Sequence, residues 1–168
     1  MDVAVEPLSN YPEAAPTVAE WHFREWGHTD PGGSLAAWTA GMARQADAIE
    51  PPGTLIAIAG RTPVGVVCLV GQDMAGYGPA MGLTPWLKGL YVTGPARRQG
   101  VGGTLVRRCE AWAASLGHEA LYLYAERDSG AQALYERLGW RAIRTGHYDG
   151  IAVTVMRTSL RPASEAPA

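Results

Sequence analysis

A strand that passes through a glycine-punctuated loop directly into a helix does most to restrict what this chain can become. In Leu90-Tyr91-Val92-Thr93-Gly94-Pro95-Ala96-Arg97-Arg98-Gln99-Gly100-Val101-Gly102-Gly103-Thr104-Leu105 the apolar run stops at Gly94-Pro95. A helical period then sets in from about Gly102 to Leu116, with Leu105, Cys109, Trp112 and Leu116 on one face and Gly117 placed to cap the end. A helix start presents unpaired N–H groups and a partial positive charge, and Gly100, Gly102 and Gly103 let the backbone close on a ligand without side-chain obstruction. With Arg97 and Arg98 adding mobile positive charge, the segment predicts an anion site. The competing reading is an ordinary strand-to-helix turn whose glycines serve tight packing. Neither familiar phosphate loop fits, because there is no Gly-Lys-Ser/Thr and no G-x-G-x-x-G opening a first βαβ unit.

The flanking segments extend the pattern. A strand is expected near Val3, a helix from Thr17 to Gly27 with Thr17-Val18-Ala19-Glu20 as a capping box, and a second helix from Ser34 to about Ile49, stopped by Pro51-Pro52. Leu55 to Ala59 and Val64 to Val70 read as a hairpin around a Gly60-Arg61-Thr62-Pro63 turn, and Gln72 to Pro85 as a loop before a strand at Trp86 to Thr93. Past the central helix come a strand at Ala120 to Ala125, a helix from Gly130 to Leu138, and strands at Trp140 to Thr145 and Ala152 to Thr158 joined by His147-Tyr148-Asp149-Gly150. Helices alternating with strands in the middle, and hairpins to either side, predict a mixed α/β sheet with helices on both faces.

A chain of 168 residues is expected to bury one core, so residues 1–160 read as a single domain and 161–168, rich in Pro and small residues, as a disordered tail. Fourteen basic against 16 acidic side chains give a formal charge of −2, which argues against a nucleic-acid partner. Cys68 and Cys109 lie in apolar stretches without metal-ligand spacing, so buried thiols are expected, with no metal and a reducing cytoplasm. No apolar run reaches the roughly 18 residues of a membrane span, and Met1-Asp2-Val3-Ala4-Val5-Glu6 lacks the basic start of a secretory signal, so no membrane association is expected.

Arg97-x-x-Gly100-x-Gly102 after a strand ending Leu90-Tyr91-Val92 resembles the acetyl-CoA signature of the GCN5-related N-acetyltransferase (GNAT) superfamily. A second stretch is similar to that family's following strand, helix and Leu-Tyr-x-x-x-Gly-aromatic ending: Leu121-Tyr122-Leu123-Tyr124, then Asp128-x-x-Ala131-x-x-Leu134-Tyr135-Glu136-Arg137-Leu138-Gly139-Trp140. The resemblance covers roughly Pro7 to Leu160 and implies a mainly antiparallel mixed sheet splayed around the cofactor. It also implies transfer of an acetyl group from acetyl-CoA (coenzyme A) to a primary amine of a small molecule or peptide. Paired subunits are frequent among such proteins, and a homodimer is the corresponding expectation.

Carried onto this chain, the resemblance assigns the thioester and pantetheine arm to Leu90, Tyr91 and Val92. It assigns the pyrophosphate to Arg97 and to the amides of Arg98, Gln99, Gly100, Val101, Gly102, Gly103 and Thr104, with Asp128, Ala131 and Tyr135 completing the cofactor set. Asp128 stands where the family often has Asn, and it or Ser129 equally fits a helix N-cap. Acetyl transfer needs a neutral amine, a polarised carbonyl and a proton for the departing thiolate. Tyr135 resembles the family tyrosine near the coenzyme A sulfur and is the candidate proton donor, while the amide of Val92 or of a neighbour is the candidate for polarising the carbonyl. The strand Trp86-Leu87-Lys88-Gly89-Leu90 lacks the glutamate the family often uses as base, which leaves Asp73, His147 or a water-relayed proton. Trp26, Tyr77 and Trp86 could wall the acceptor, although core packing explains each as well. Two other classes stay open: a coenzyme A-binding sensor without turnover, and a structural domain whose glycine loop is only a turn.

Overall fold

The computed structural model describes residues 1–46 and 53–160. Along the chain lie β1 (Ala4–Pro7), α1 (Ala15–Trp26), α2 (Leu35–Ala46), β2 (Gly53–Ala59), β3 (Thr62–Val70), β4 (Trp86–Val92), α3 (Val101–Ser115), β5 (Ala120–Glu126), α4 (Gly130–Arg137), β6 (Arg141–Tyr148) and β7 (Ile151–Ser159). This is the element order the sequence predicts. The strands form one seven-stranded sheet in the order β1-β2-β3-β4-β5-β7-β6. The β1–β2, β5–β7 and β6–β7 pairs are antiparallel and β4–β5 is parallel, so the sheet is mixed and mostly antiparallel. Parallel pairing is made at Trp86↔Tyr122, where the Tyr122 amide donates to the Pro85 carbonyl at 3.1 Å.

The chain divides into two compact units, the first made of Met1–Cys68 and Gly89–Val106. Its core joins Leu8 and Ala14 to Ala15, Val18 and Ala19 of α1, Met42 and Ala46 of α2, Ile56 and Ile58 of β2, and Val66 of β3. Leu8, Val18, Ile56 and Val66 are fully buried, each contributing roughly 1.5–3 kcal/mol of hydrophobic stabilisation. Successive strand residues face opposite sides, so Gly65 points away from this core. A methyl group there would sit 3.0 Å from Leu105 Cδ1 and 3.0 Å from the Tyr91 carbonyl, which places the start of α3 on the face opposite α1 and α2. Helices therefore cover both faces, as the alternation of elements predicts.

The second unit comprises Leu69–Lys88 and the chain from Arg107 onward. In β5 the buried Leu121, Leu123 and Ala125 alternate with Tyr122, Tyr124 and Glu126, and Leu123 and Ala125 lie opposite Met156 and Thr154 of β7. Cys109 and Ala113 of α3 and Tyr135 of α4 are buried, as is Trp140. Glu110 ties α3 to the turn beyond α4: its carboxylate accepts from Trp140 Nε1 and from Arg107 Nη1, both at 2.8 Å, while Arg107 Nη2 donates to the Leu138 carbonyl at 2.7 Å. β6 carries a register shift between Ala142 and Arg144.

Several boundaries differ from the sequence expectation. Thr17 does not cap α1, which begins at Ala15 with Pro16 in its first turn, fed by short 3-10 turns. Proline already supplies helical φ there and needs no donor partner. The first hairpin turns on Gly60-Arg61 alone, and Pro63 lies inside β3. His147 and Tyr148 belong to β6 rather than to a turn, because Asp149 (φ 49°) and Gly150 (φ 79°) make a two-residue left-handed connection by themselves. Ser34 accepts the Ala37 amide at 3.2 Å at the start of α2. The expected end of that helix at Ile49, the Pro51-Pro52 stop and the 161–168 tail lie outside the described residues.

Among the described residues no helix is long and apolar enough to cross a membrane, and no group of three or more His, Cys, Asp or Glu could hold a metal ion. Cys68 and Cys109 are both buried thiols.

Candidate active site

The first unit carries the glycine loop. The Thr93 amide donates to the Val64 carbonyl of β3 at 2.9 Å, and backbone groups alternate along a strand, so the polar groups of Leu90 and Val92 lie on the edge of β4 away from β3. After β4 the chain makes a short 3-10 turn at Gly94–Ala96, then turns at Arg98 (φ 61°) and Gly100 (φ 84°) into α3. Gln99 Nε2 holds the loop by donating to the Pro95 carbonyl at 2.7 Å. Thr104 N donates to Gly100 O at 3.0 Å in the first turn of α3, so the amides of Val101, Gly102 and Gly103 precede the point where intrahelical acceptors begin. A methyl group built on Gly100 would enter open space. The loop therefore offers clustered donors with room beside them, and it fits a phosphate-bearing ligand.

Arg97 behaves differently from the mobile cation the sequence suggests. Its Nε donates to the Val92 carbonyl at 2.9 Å and its guanidinium carbon sits 5.6 Å from the centre of the Tyr91 ring. The Tyr91 ring stacks on Trp21 at 5.5 Å and packs against the first unit's core. Arg98 is exposed in a left-handed backbone conformation.

A buried histidine that the sequence does not single out lies at the base of the same strand. His22 of α1 is 6% exposed, and its Nε2 lies 2.9 Å from the carbonyl oxygen of Gly89. Gly89 has φ 63°, and a methyl group on it would sit 2.9 Å from His22 Cε1 and 3.7 Å from Cys68 Sγ. Trp26 packs edge-on to the His22 ring at 5.1 Å. The partners are 67 positions apart, and no local pattern announces them.

In the second unit, Asp73 is held on both sides. Its Oδ1 accepts from Lys88 Nζ at 3.1 Å and from the Met74 amide at 2.9 Å. Beside it Tyr77 meets Tyr148 edge-to-face at 5.9 Å, and Tyr148 meets Tyr124 at 5.7 Å. Burial first, then the charges of Asp73, Tyr148 and Asp149, push the Tyr124 hydroxyl up to about 12. Burial, then Asp149 and Asp73, raises Tyr148 as well, against the lowering effect of Lys88. Tyr77 depends on Gly146, since a methyl group there would collide with its hydroxyl. His147 is exposed and neighbours Tyr148 in β6, so its side chain projects from the opposite face of the hairpin. Trp86 is fully buried, with its Nε1 donating to the Leu83 carbonyl at 2.7 Å and its ring 5.9 Å from Tyr122. Of the aromatic residues expected to wall an acceptor, Trp86 is thus part of the core, whereas Tyr77 and Trp26 are half-buried.

Tyr135 is 6% exposed in α4, its ring 5.8 Å from that of Trp140. Desolvation, and secondarily the Cys109 thiol, holds its hydroxyl well above the ordinary tyrosine range. Asp128 has φ 59° and an exposed side chain, while Ser129 is the cap, its Oγ accepting the Gln132 amide at 3.2 Å. Gln132 Oε1 in return accepts the Asp128 amide at 3.1 Å. Ala131 is exposed in the first turn of α4.

The model of the acetyltransferase (GNAT) family matches residues 6–140. No curated protein sequence matches the chain. Among solved structures it is similar to an acetyltransferase of the GNAT family from Streptococcus pneumoniae, with 17% identity, 95% of this chain and 100% of that one covered, and a TM-score of 0.69. An aminoglycoside 6'-N-acetyltransferase complexed with coenzyme A superposes with a TM-score of 0.71 at 16% identity, covering 98% and 99%. The protein yncA from Salmonella typhimurium, with its cofactor acetyl-CoA, gives 0.71 at 15% identity, covering 100% and 99%. At these identities the likeness carries the fold.

Proposed function

The chain belongs to the acetyltransferase (GNAT) family, and from that premise we propose that it moves the acetyl group of acetyl-CoA to a primary amine of a small molecule or peptide. The observation that carries this reading is the open amide end of α3, reached from β4 through the Arg98 and Gly100 turns. Acetyl-CoA would supply the activated thioester. The amides from Arg98 to Gly103 would hold its pyrophosphate, the Thr104 amide being engaged by the Gly100 carbonyl, and Arg97, fastened to Val92, would keep the loop in register with β4. Leu90 and Val92 would bond the pantetheine arm and acyl end through main-chain groups. Tyr135, kept protonated by burial, would donate a hydrogen bond or a proton at the sulfur. Ala131 and Asp128 would line the same arm.

The half-buried Tyr77 and Trp26, each taken by itself, stay as candidate acceptor contacts, with the proton leaving through Asp73 or water. Much of the rate in such a transfer comes from holding the amine against the thioester, which needs no dedicated base. The proposal extends to a cytoplasmic setting, a homodimer, no membrane partner and no nucleic-acid partner, the −2 formal charge speaking to the last of these alone. Domain limits of 1–160 belong to it too.

Thiol release from acetyl-CoA is to be followed with a panel of primary amines, alongside calorimetric binding of coenzyme A. Amine-dependent release supports transfer. Binding without release leaves a coenzyme A sensor, a reading that the Lys88 pairing of Asp73 favours. Absence of binding overturns both.

A further inference from the structure

We propose that His22 is a positioning residue that acts through the Gly89 carbonyl to aim the Leu90 amide at the acetyl carbonyl of the donor. The inference rests on the acetyl-transfer reading above. A carbonyl oxygen can only accept, so in the 2.9 Å contact His22 Nε2 carries the hydrogen. A trans peptide is planar, with its C=O and N–H pointing in opposite directions. Fixing the Gly89 oxygen toward His22 therefore fixes the Leu90 N–H away from it. The Thr93–Val64 bond separately puts the same amide on the edge of β4 remote from β3.

Gly89 makes this arrangement necessary and fragile. At φ 63° it has a conformation that glycine alone adopts without strain, and glycine crosses readily to negative φ if nothing holds it. The His22 ring leaves no space for a side chain that could stiffen the position. A hydrogen bond on the carbonyl also polarises the peptide unit and makes its N–H a stronger donor. An amide so aimed is suited to the negative charge that develops on a carbonyl oxygen during acyl transfer, and loss of one such donor costs about 100- to 1,000-fold in other enzymes. Loosening the donor, with the amide itself retained, should cost less, on the order of 10- to 100-fold.

The test compares His22→Phe, which keeps a ring of similar size and removes the N–H, with His22→Gln, which restores a donor of similar reach; His22→Leu replaces the first should it fail to fold. In the protein without ligand, the Leu90 amide resonance should move in His22→Phe and stay near the wild-type position in His22→Gln. Bound to carbon-13-labelled acetyl-CoA, the wild type should lower the acetyl carbonyl stretch relative to the free thioester, and His22→Phe should abolish that shift. In turnover, His22→Phe should lower kcat by about 10- to 100-fold with KM for acetyl-CoA within about twofold, and His22→Gln should recover most of the loss. An unmoved Leu90 resonance, an unchanged carbonyl stretch, or a His22→Gln variant as impaired as His22→Phe would overturn the assignment. A wild type that binds acetyl-CoA without releasing thiol defeats the transfer reading alone, because resonance and carbonyl stretch still judge His22.

Discussion

Arg97 Nε donates to the carbonyl oxygen of Val92 across 2.9 Å, five positions back along the chain, and so closes the loop onto the strand it leaves. Arg97→Ala should weaken coenzyme A binding about fivefold, the equivalent of roughly 1 kcal/mol for one hydrogen bond at an exposed site. Arg97→Lys should not recover the loss, since a lysine has no Nε–H in that position. Isothermal titration with coenzyme A decides, and an unchanged Kd in both variants refutes the clamp.

Gly65 separates β3 from α3 by less than a methyl group allows. Gly65→Val should lower the stability of the protein by about 1–3 kcal/mol, because the Tyr91 carbonyl is backbone and cannot swing aside as Leu105 can. Urea unfolding should show an earlier midpoint with unchanged slope. Wild-type stability in this variant would mean that α3 simply slides outward.

Removing the Tyr135 hydroxyl should slow the proposed transfer without loosening the fold. Tyr135→Phe should reduce kcat by about 10- to 100-fold and leave KM for acetyl-CoA within about twofold. Burial favours the neutral phenol, so this group should impose no alkaline fall in wild-type activity below about pH 10. A pH–rate profile of both proteins checks this; a shared descending limb below that pH must come from another residue.

Tyr124 gives stability a pH dependence whose sign is fixed by its raised pKa. Unfolded tyrosine ionises near pH 10 and folded Tyr124 near 12, so its contribution is fully present below about pH 10 and is lost as pH rises toward about 12. Denaturant midpoints measured across that window should fall less steeply in Tyr124→Phe. Phenolate absorbance should lose one late-titrating group in the same variant, and a titration identical to wild type would count against the assignment.

The parts of the fold that announced themselves are those where a backbone conformation demands a particular residue. Gly117 and Gly139 end their helices with φ 86° and 91°, and the order of strands and helices followed from such punctuation. Thr17 does not cap α1 because Pro16 outranks it as a starter, and β6 runs two residues into its expected turn because, of the turn-like His147-Tyr148-Asp149-Gly150, only the last two residues turn. At the site, donors belonging to one contiguous loop were legible. Contacts between distant segments were not: nothing local links His22 to Gly89, or Lys88 to Asp73. Trp86 and Tyr77 look equally available as aromatic residues, and only three-dimensional packing makes one core and the other half-exposed.

The register shift in β6 bears on how the molecule behaves in a crowded solution. β6 ends the sheet, and a terminal strand with regular pairing groups invites another chain to add on. The irregularity between Ala142 and Arg144 interrupts that template, and the exposed Arg141 and Arg144 set positive charges along it. At the opposite border β1 is four residues long and finishes at Pro7, which has no N–H to offer. Both borders of the sheet thus resist templated aggregation by means that leave the glycine loop untouched.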